Sequence, residues 1–204
     1  IYDELMDFAG KTKARRDMAK LFGRNSEWYQ RNQENAAALE KANMLVEVAL
    51  YQRAVFLHIN AQEMKFTAKK TDDPQQLALS IVEYQRAADA YKVYLDRFPG
   101  SSKTYDIRFH RAEAVYYTGD FSLAGQLYTQ VRDDPERSEH REDAAFSVIV
   151  CAEKVISREV AEGGLPKKAI PSSDFEMEEM ALLVSKLDRI IHLMEIFVPL
   201  LAIT

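Results

Sequence analysis

Residues 87–135 read AADAYKVYLDRFPGSSKTYDIRFHRAEAVYYTGDFSLAGQLYTQVRDDP, and the spacing inside this stretch decides the fold. Ala87 precedes Tyr91 by four positions, Ala124 precedes Tyr128 by four, and the two pairs are offset by 37 residues. Each pair runs on to a helix-stopping proline, Pro99 in the first copy and Pro135 in the second. Pro99-Gly100-Ser101-Ser102 ends one helix and offers serine caps to the next, whose apolar face is Tyr105, Phe109, Ala112 and Tyr116. Gly119-Asp120 makes a tight turn into a helix over Phe121 to Arg132 that carries Ala124, Leu127, Tyr128 and Val131 on one side. Helices joined by so short a connection run antiparallel, and the repetition of the hairpin at a fixed period marks units that bury their apolar faces against one another.

Outward from this stretch the same grammar continues. Asp73-Pro74-Gln75-Gln76 opens a helix, with Asp73 as cap, Pro74 at the first helical position and Gln76 as a capping-box partner. Its stripe is Leu77, Ile81, Tyr84, Ala88, Tyr91, Leu95 and Phe98. Before it, a long helix spans about 35–69, with Leu39, Ala42, Val46, Ala49, Arg53, Phe56 and Asn60 at helical spacing. A parallel row of Leu45, Val48, Val55 and Ile59 widens the face, so neighbours are expected on two sides. A weaker helix is expected over 2–22, ended by Gly23-Arg24-Asn25-Ser26.

Residues 138–162 read as a further helix, although Phe146 to Cys151 would in isolation suit a buried strand; the flanking Glu142-Asp143-Ala144-Ala145 and Ala152-Glu153-Lys154 carry no turn signal. Four regions result: an N-terminal helical region over 1–72, hairpin repeats over 73–162, an irregular linker over 163–173 with Gly163-Gly164, Pro166 and Pro171, and a C-terminal helix of a truncated repeat within 174–204.

Composition supports an all-α chain. Glycine and proline number only 7 and 6 in 204 residues, while 47% of residues are apolar, enough for a real core. The net charge of -5 and the lack of a concentrated basic face exclude a surface dedicated to nucleic acid; the run Lys11 to Arg16 reads as a solvated helix face. The single cysteine, Cys151, excludes an intrachain disulfide, a cysteine zinc site and a redox pair, and reads as a small buried apolar group. The chain opens on Ile1 without a basic-then-apolar leader, which reads as a cut fragment or a processed chain. The stretch Ile190 to Ile203 is broken by His192, Glu195 and Pro199 and is too short to span a bilayer; as the apolar end of a terminal unit it is expected to be covered by a cap or by self-association.

The paired Ala-x-x-x-Tyr units, their prolines and the turn Tyr116-Tyr117-Thr118-Gly119-Asp120-Phe121 resemble the tetratricopeptide repeat (TPR), in whose second helix a small alanine lets two helices approach and an aromatic fills the gap to the next pair. The first half of the repeat departs from the family: Arg108, Arg111 and Val115 stand where it places a large aromatic, leucine and tyrosine, and of the four positions only small Ala112 is kept. The runs Tyr94 to Ser101, Tyr105 to Phe109, Ala112-Glu113, Glu142 to Phe146 and Ser26 to Asn32 resemble deltaproteobacterial cell-envelope TPR proteins, gliding-motility components among them, and more distantly outer-membrane assembly lipoproteins and Tol-Pal-associated coordination proteins. The resemblance covers most of residues 20–160. It implies a short right-handed solenoid of stacked antiparallel helix hairpins, and a non-catalytic docking piece in the periplasm or at the outer membrane; the alternatives are a cytoplasmic TPR adaptor and an all-α enzyme whose site one sequence does not reveal.

No catalytic constellation is legible. His58, His110, His140 and His192 are scattered, with no second His or Cys at ligand spacing, and Gly163-Gly164 lacks the Lys-Ser/Thr that a phosphate loop needs. The acidic pairs Asp72-Asp73 and Asp133-Asp134 sit where helices start or end and suit the macrodipole. No cofactor and no metal are expected. In the family the first helix of each pair lines the inner surface of the curve, which places Asp106, Phe109, Glu113, Tyr116 and Tyr117 toward a partner, followed one repeat later by Glu142, Ala145, Ile149 and Glu153. For Phe109 and Tyr116 a place in the core is the competing reading. The Lys/Asn set with which some relatives clamp a terminal carboxylate is missing, so the expected guest is a protein or peptide with apolar anchors and basic flanks.

Overall fold

The structure, a computed structural model, describes residues 8–164, and these contain helices and connecting turns but no strand. Helix α1 spans Phe8–Leu21, α2 Glu27–Arg31, α3 Ala36–Thr71, α4 Pro74–Arg97, α5 Thr104–Thr118, α6 Phe121–Arg132 and α7 Arg141–Ala161. The stretch Phe146 to Cys151 lies inside α7 and is helical, as its flanks imply. The short α2 has no counterpart in the sequence reading; Ser26 caps it by accepting from the Tyr29 N–H at 3.0 Å. The C-terminal helix expected within 174–204, the linker beyond Gly164 and the covering of Ile190 to Ile203 lie outside the described residues.

From α3 onward each helix packs against the next, and α1 lies on α3. The hairpins are antiparallel: in α3/α4 the start of one meets the end of the other through Glu47 and Tyr94, and in α5/α6 the first half of one meets the end of the other through Phe109 and Tyr128. The first helices of successive hairpins, α3 and α5, run parallel, His58 lying beside His110 and Lys65 over Tyr117. Small residues set the spacing. Ala54, Ala61, Ala87, Ala112, Ala124 and Ala144 have no exposed surface, which allows close approach of the helix axes. Large rings fill the space between them, with Tyr84, Tyr91, Tyr94, Tyr105 and Tyr128 all buried. The buried Cys151 thiol is pushed up to about 11 by burial, as fits an apolar packing group.

Two expected stripes are corrected at their edges. Leu45, Val48 and Ile59 on α3 are 44%, 53% and 47% exposed, so of the second row only Val55 packs on the core; the core face of α3 adds Leu50, Ala54, Leu57 and Ala61 to the expected Ala42, Val46 and Ala49. On α4, Leu77 and Ile81 are exposed because α5 reaches along α4 only to Tyr84, where Tyr117 of its last turn packs. The caps also differ in detail. Asp73 accepts from the N–H groups of Gln75 and Gln76, but Gln76 does not reach back, since the Asp73 N–H already donates to the Ala68 carbonyl at 2.9 Å. Asp73→Ala is therefore expected to cost about 0.5–2 kcal/mol in urea unfolding, and Gln76→Ala much less.

The serines after Pro99 do not cap α5, whose N-cap Lys103 makes no side-chain cap bond. Ser101 faces both ways: its hydroxyl accepts from the Lys103 N–H at 3.2 Å and donates to Glu47 Oε1, to which the Tyr94 hydroxyl also donates, each of these two at 2.7 Å. These two bonds, helped by nearby Lys103 and opposed by burial, hold the Glu47 carboxyl below its ordinary range. The network ties the start of α3 to the end of α4 and to the loop that leads into α5.

Candidate functional site

Asp106, His110, Glu113 and Tyr117 follow one another on α5 at intervals of four, three and four residues, so one face of the helix presents them in a row. His110 Nδ1 is 2.9 Å from Glu113 Oε2, a turn of helix apart. Asp106 Oδ1 is 3.2 Å from Nε2 of His140, the residue preceding α7, and 3.8 Å from the Arg137 guanidinium. Parallel packing of α3 adds His58 and Lys65 on the other side.

Three imidazoles thereby step across the face, His58 to His110 at 6.2 Å between ring centres and His110 to His140 at 6.1 Å. Sequence reading left these histidines scattered, and no spacing rule finds them, because positions 58 and 110 align only once α3 and α5 are known to lie side by side. His192 is outside the described residues. The rings follow one another rather than converge, and among the described residues no group of three His, Cys, Asp or Glu is placed to hold a metal ion. His58 is buried and 3.2 Å from the Tyr91 hydroxyl; burial holds its pKa below the ordinary value, with Glu113 opposing and His110 adding to the effect.

The expected partner-facing residues divide by what they touch. Asp106 and Glu113 lie partly open in the row, and Tyr117 is 36% exposed with one ring face covered by Lys65. Phe109 faces the α6/α7 side instead, stacked on His140 at 4.3 Å and edge-on to Tyr128, partly buried against the core. Tyr116 packs on Phe121 and is likewise partly buried, its hydroxyl pushed up by burial and by the nearby Cys151 and Tyr117. Glu142 is exposed in the first turn of α7, whereas Ile149 and Glu153 are half-buried further along it; no described hydrogen bond or ion pair joins these three to the α5 row.

The face offers two carboxylates and an exposed phenol ring beside imidazoles. No family model, curated protein or solved structure matches this chain.

Proposed function

We propose that the chain is a non-catalytic docking scaffold, a short TPR-like solenoid whose α5 face takes up a peptide or subunit bearing apolar anchors and basic flanks. The observation that carries this reading is the row of Asp106, Glu113 and Tyr117, where acidic and aromatic groups share one face of a helix otherwise held in the core. The tetratricopeptide arrangement is supported by the burial of both Ala-x-x-x-Tyr units, Ala87 with Tyr91 and Ala124 with Tyr128, and by the parallel course of α3 and α5. Acidic groups beside an exposed ring favour a cationic guest through charge complementarity and select against acidic ones. A place within a bacterial envelope complex, at the periplasm or outer membrane, rests on the resemblance of residues 20–160 alone; a cytoplasmic adaptor would use the same face. Among the described residues no helix is long and apolar enough to cross a membrane.

The double variant Glu113→Gln/Tyr117→Ala tests the reading by partner capture from the source organism. Capture is expected to fall about ten-fold or more, the loss of a contact worth about 1.4 kcal/mol, with helical circular dichroism unchanged. Undiminished capture, or a fall in helical signal, would return both residues to a packing role.

A further inference from the structure

The ammonium of Lys65 lies 3.3 Å from the ring centre of Tyr117 and 5.9 Å from that of Tyr84, and the two rings are 4.7 Å apart at 34°. This lysine has no carboxylate partner: among the described residues no Asp or Glu comes within ion-pair distance of it. Burial, together with the like charge of Lys69 one turn further along α3, holds the Lys65 pKa below its ordinary value. A surface lysine normally leaves its head in water. What holds this one against partial desolvation is the negative face of the aromatic pair, which attracts cations and strengthens as water is excluded.

We infer that Tyr84 and Tyr117 form a subsite for an alkylammonium group, now filled from within by Lys65, which the lysine side chain of a docking partner displaces. The inference rests on the docking reading of the α5 row and names the group that the row selects. Tyr84 supplies a fixed wall, buried at 2% exposure, while Tyr117 is open enough for a guest to reach. Lys65 is a suitable placeholder because its four-carbon stem is flexible and its half-buried position leaves its head within reach of water. Glu113, one turn before Tyr117 on the same row, supplies the carboxylate that Lys65 itself does not engage. An incoming lysine approaching across Glu113 gains both the ring face and that charge, which is the advantage over the resident side chain.

The test is a titration of the full chain, carrying isotope-labelled tyrosine rings, with an acetylated and amidated Gly-Lys-Gly peptide and with its norleucine counterpart. Lys65→Met is expected to bind the lysine peptide about ten-fold tighter than the unaltered chain, within the range of one cation–ring contact, with shifts on the Tyr84 and Tyr117 rings. The norleucine peptide should leave both rings unmoved, and adding Tyr117→Ala should abolish the response. Should Lys65→Met unfold, Lys65→Gln removes the charge with a polar side chain and carries the same expectation. Equal binding of the two peptides, or no ring response to lysine once Lys65 is gone, overturns the subsite and makes the Lys65 contact a stitch between α3 and α5. Such a failure would leave partner capture sensitive to Glu113→Gln/Tyr117→Ala, whereas undiminished capture by that variant would end the docking reading whatever the rings report.

Discussion

Tyr94→Ala is expected to lower the free energy of unfolding by about 3–5 kcal/mol, the largest single-site loss in the array. The ring has no exposed surface, meets Tyr51 and Phe98, and lies where α3, α4 and the loop before α5 come together. Truncation leaves a cavity that three converging segments close poorly, and it removes one of two hydroxyl donors from the Glu47 carboxylate. Tyr94→Phe separates the two contributions: it keeps the ring and is expected to lose about 1–3 kcal/mol, the cost of a charged acceptor that keeps only Ser101. Urea unfolding with an unchanged denaturant slope measures both. A loss below about 1 kcal/mol for Tyr94→Ala would show that the junction is not the keystone its geometry describes.

Acid is the second large perturbation, and it acts through His58. This ring is buried among Tyr84 and Tyr91 of α4, Gln62 of its own helix, and His110 and Glu113 of α5. Burial, reinforced by His110 and opposed by Glu113, depresses its folded pKa below the ordinary 6.5. The unfolded chain therefore binds the proton first. Above about pH 6.5 the full stability is present; as pH falls below 6.5 the unfolded state gains a proton that the folded state refuses, and stability declines until the folded pKa is passed. His58→Leu should flatten that part of the stability profile while costing about 1–3 kcal/mol at pH 8, where the Tyr91 hydroxyl loses its partner. A profile between pH 5 and 7 that is the same with and without His58 would remove this residue as the acid-sensitive group.

Much of the architecture was legible because helix boundaries here are written in local chemistry. Asp73-Pro74 and Gly119-Asp120 mark starts and turns that depend on nothing beyond their own neighbours; Gly119, at φ 86°, ends α5 in a conformation that suits glycine. The short helix at Glu27–Arg31 escaped because five residues give periodicity nothing to work on. Stripe edges were misjudged where burial depends on the length of a neighbour, as at Ile81 beyond the reach of α5, or on whether a neighbour exists, as at Val48. The candidate face was partly legible: Asp106, Glu113 and Tyr117 come from the groove-facing positions that the tetratricopeptide resemblance implies, and they lie on one face of α5. Its lateral members were not, since Lys65 and His58 come from a helix about fifty residues earlier and His140 from the residue ahead of α7. Ser101 shows the converse limit: a residue type suited to a cap also answers a carboxylate distant in sequence.

The choice of tyrosine over leucine for the large core rings fixes more than volume. A leucine spine would tolerate one helix sliding past another by a turn, about 5.4 Å, because greasy surfaces meet equally well at several offsets. Phenol oxygens do not: that of Tyr94 is answered by Glu47, that of Tyr91 lies beside His58 and that of Tyr105 accepts from the His140 backbone N–H. A slipped hairpin would strand each of these addresses at about 1–3 kcal/mol apiece, so the rings act as a vernier that rejects misaligned stacking while the chain folds.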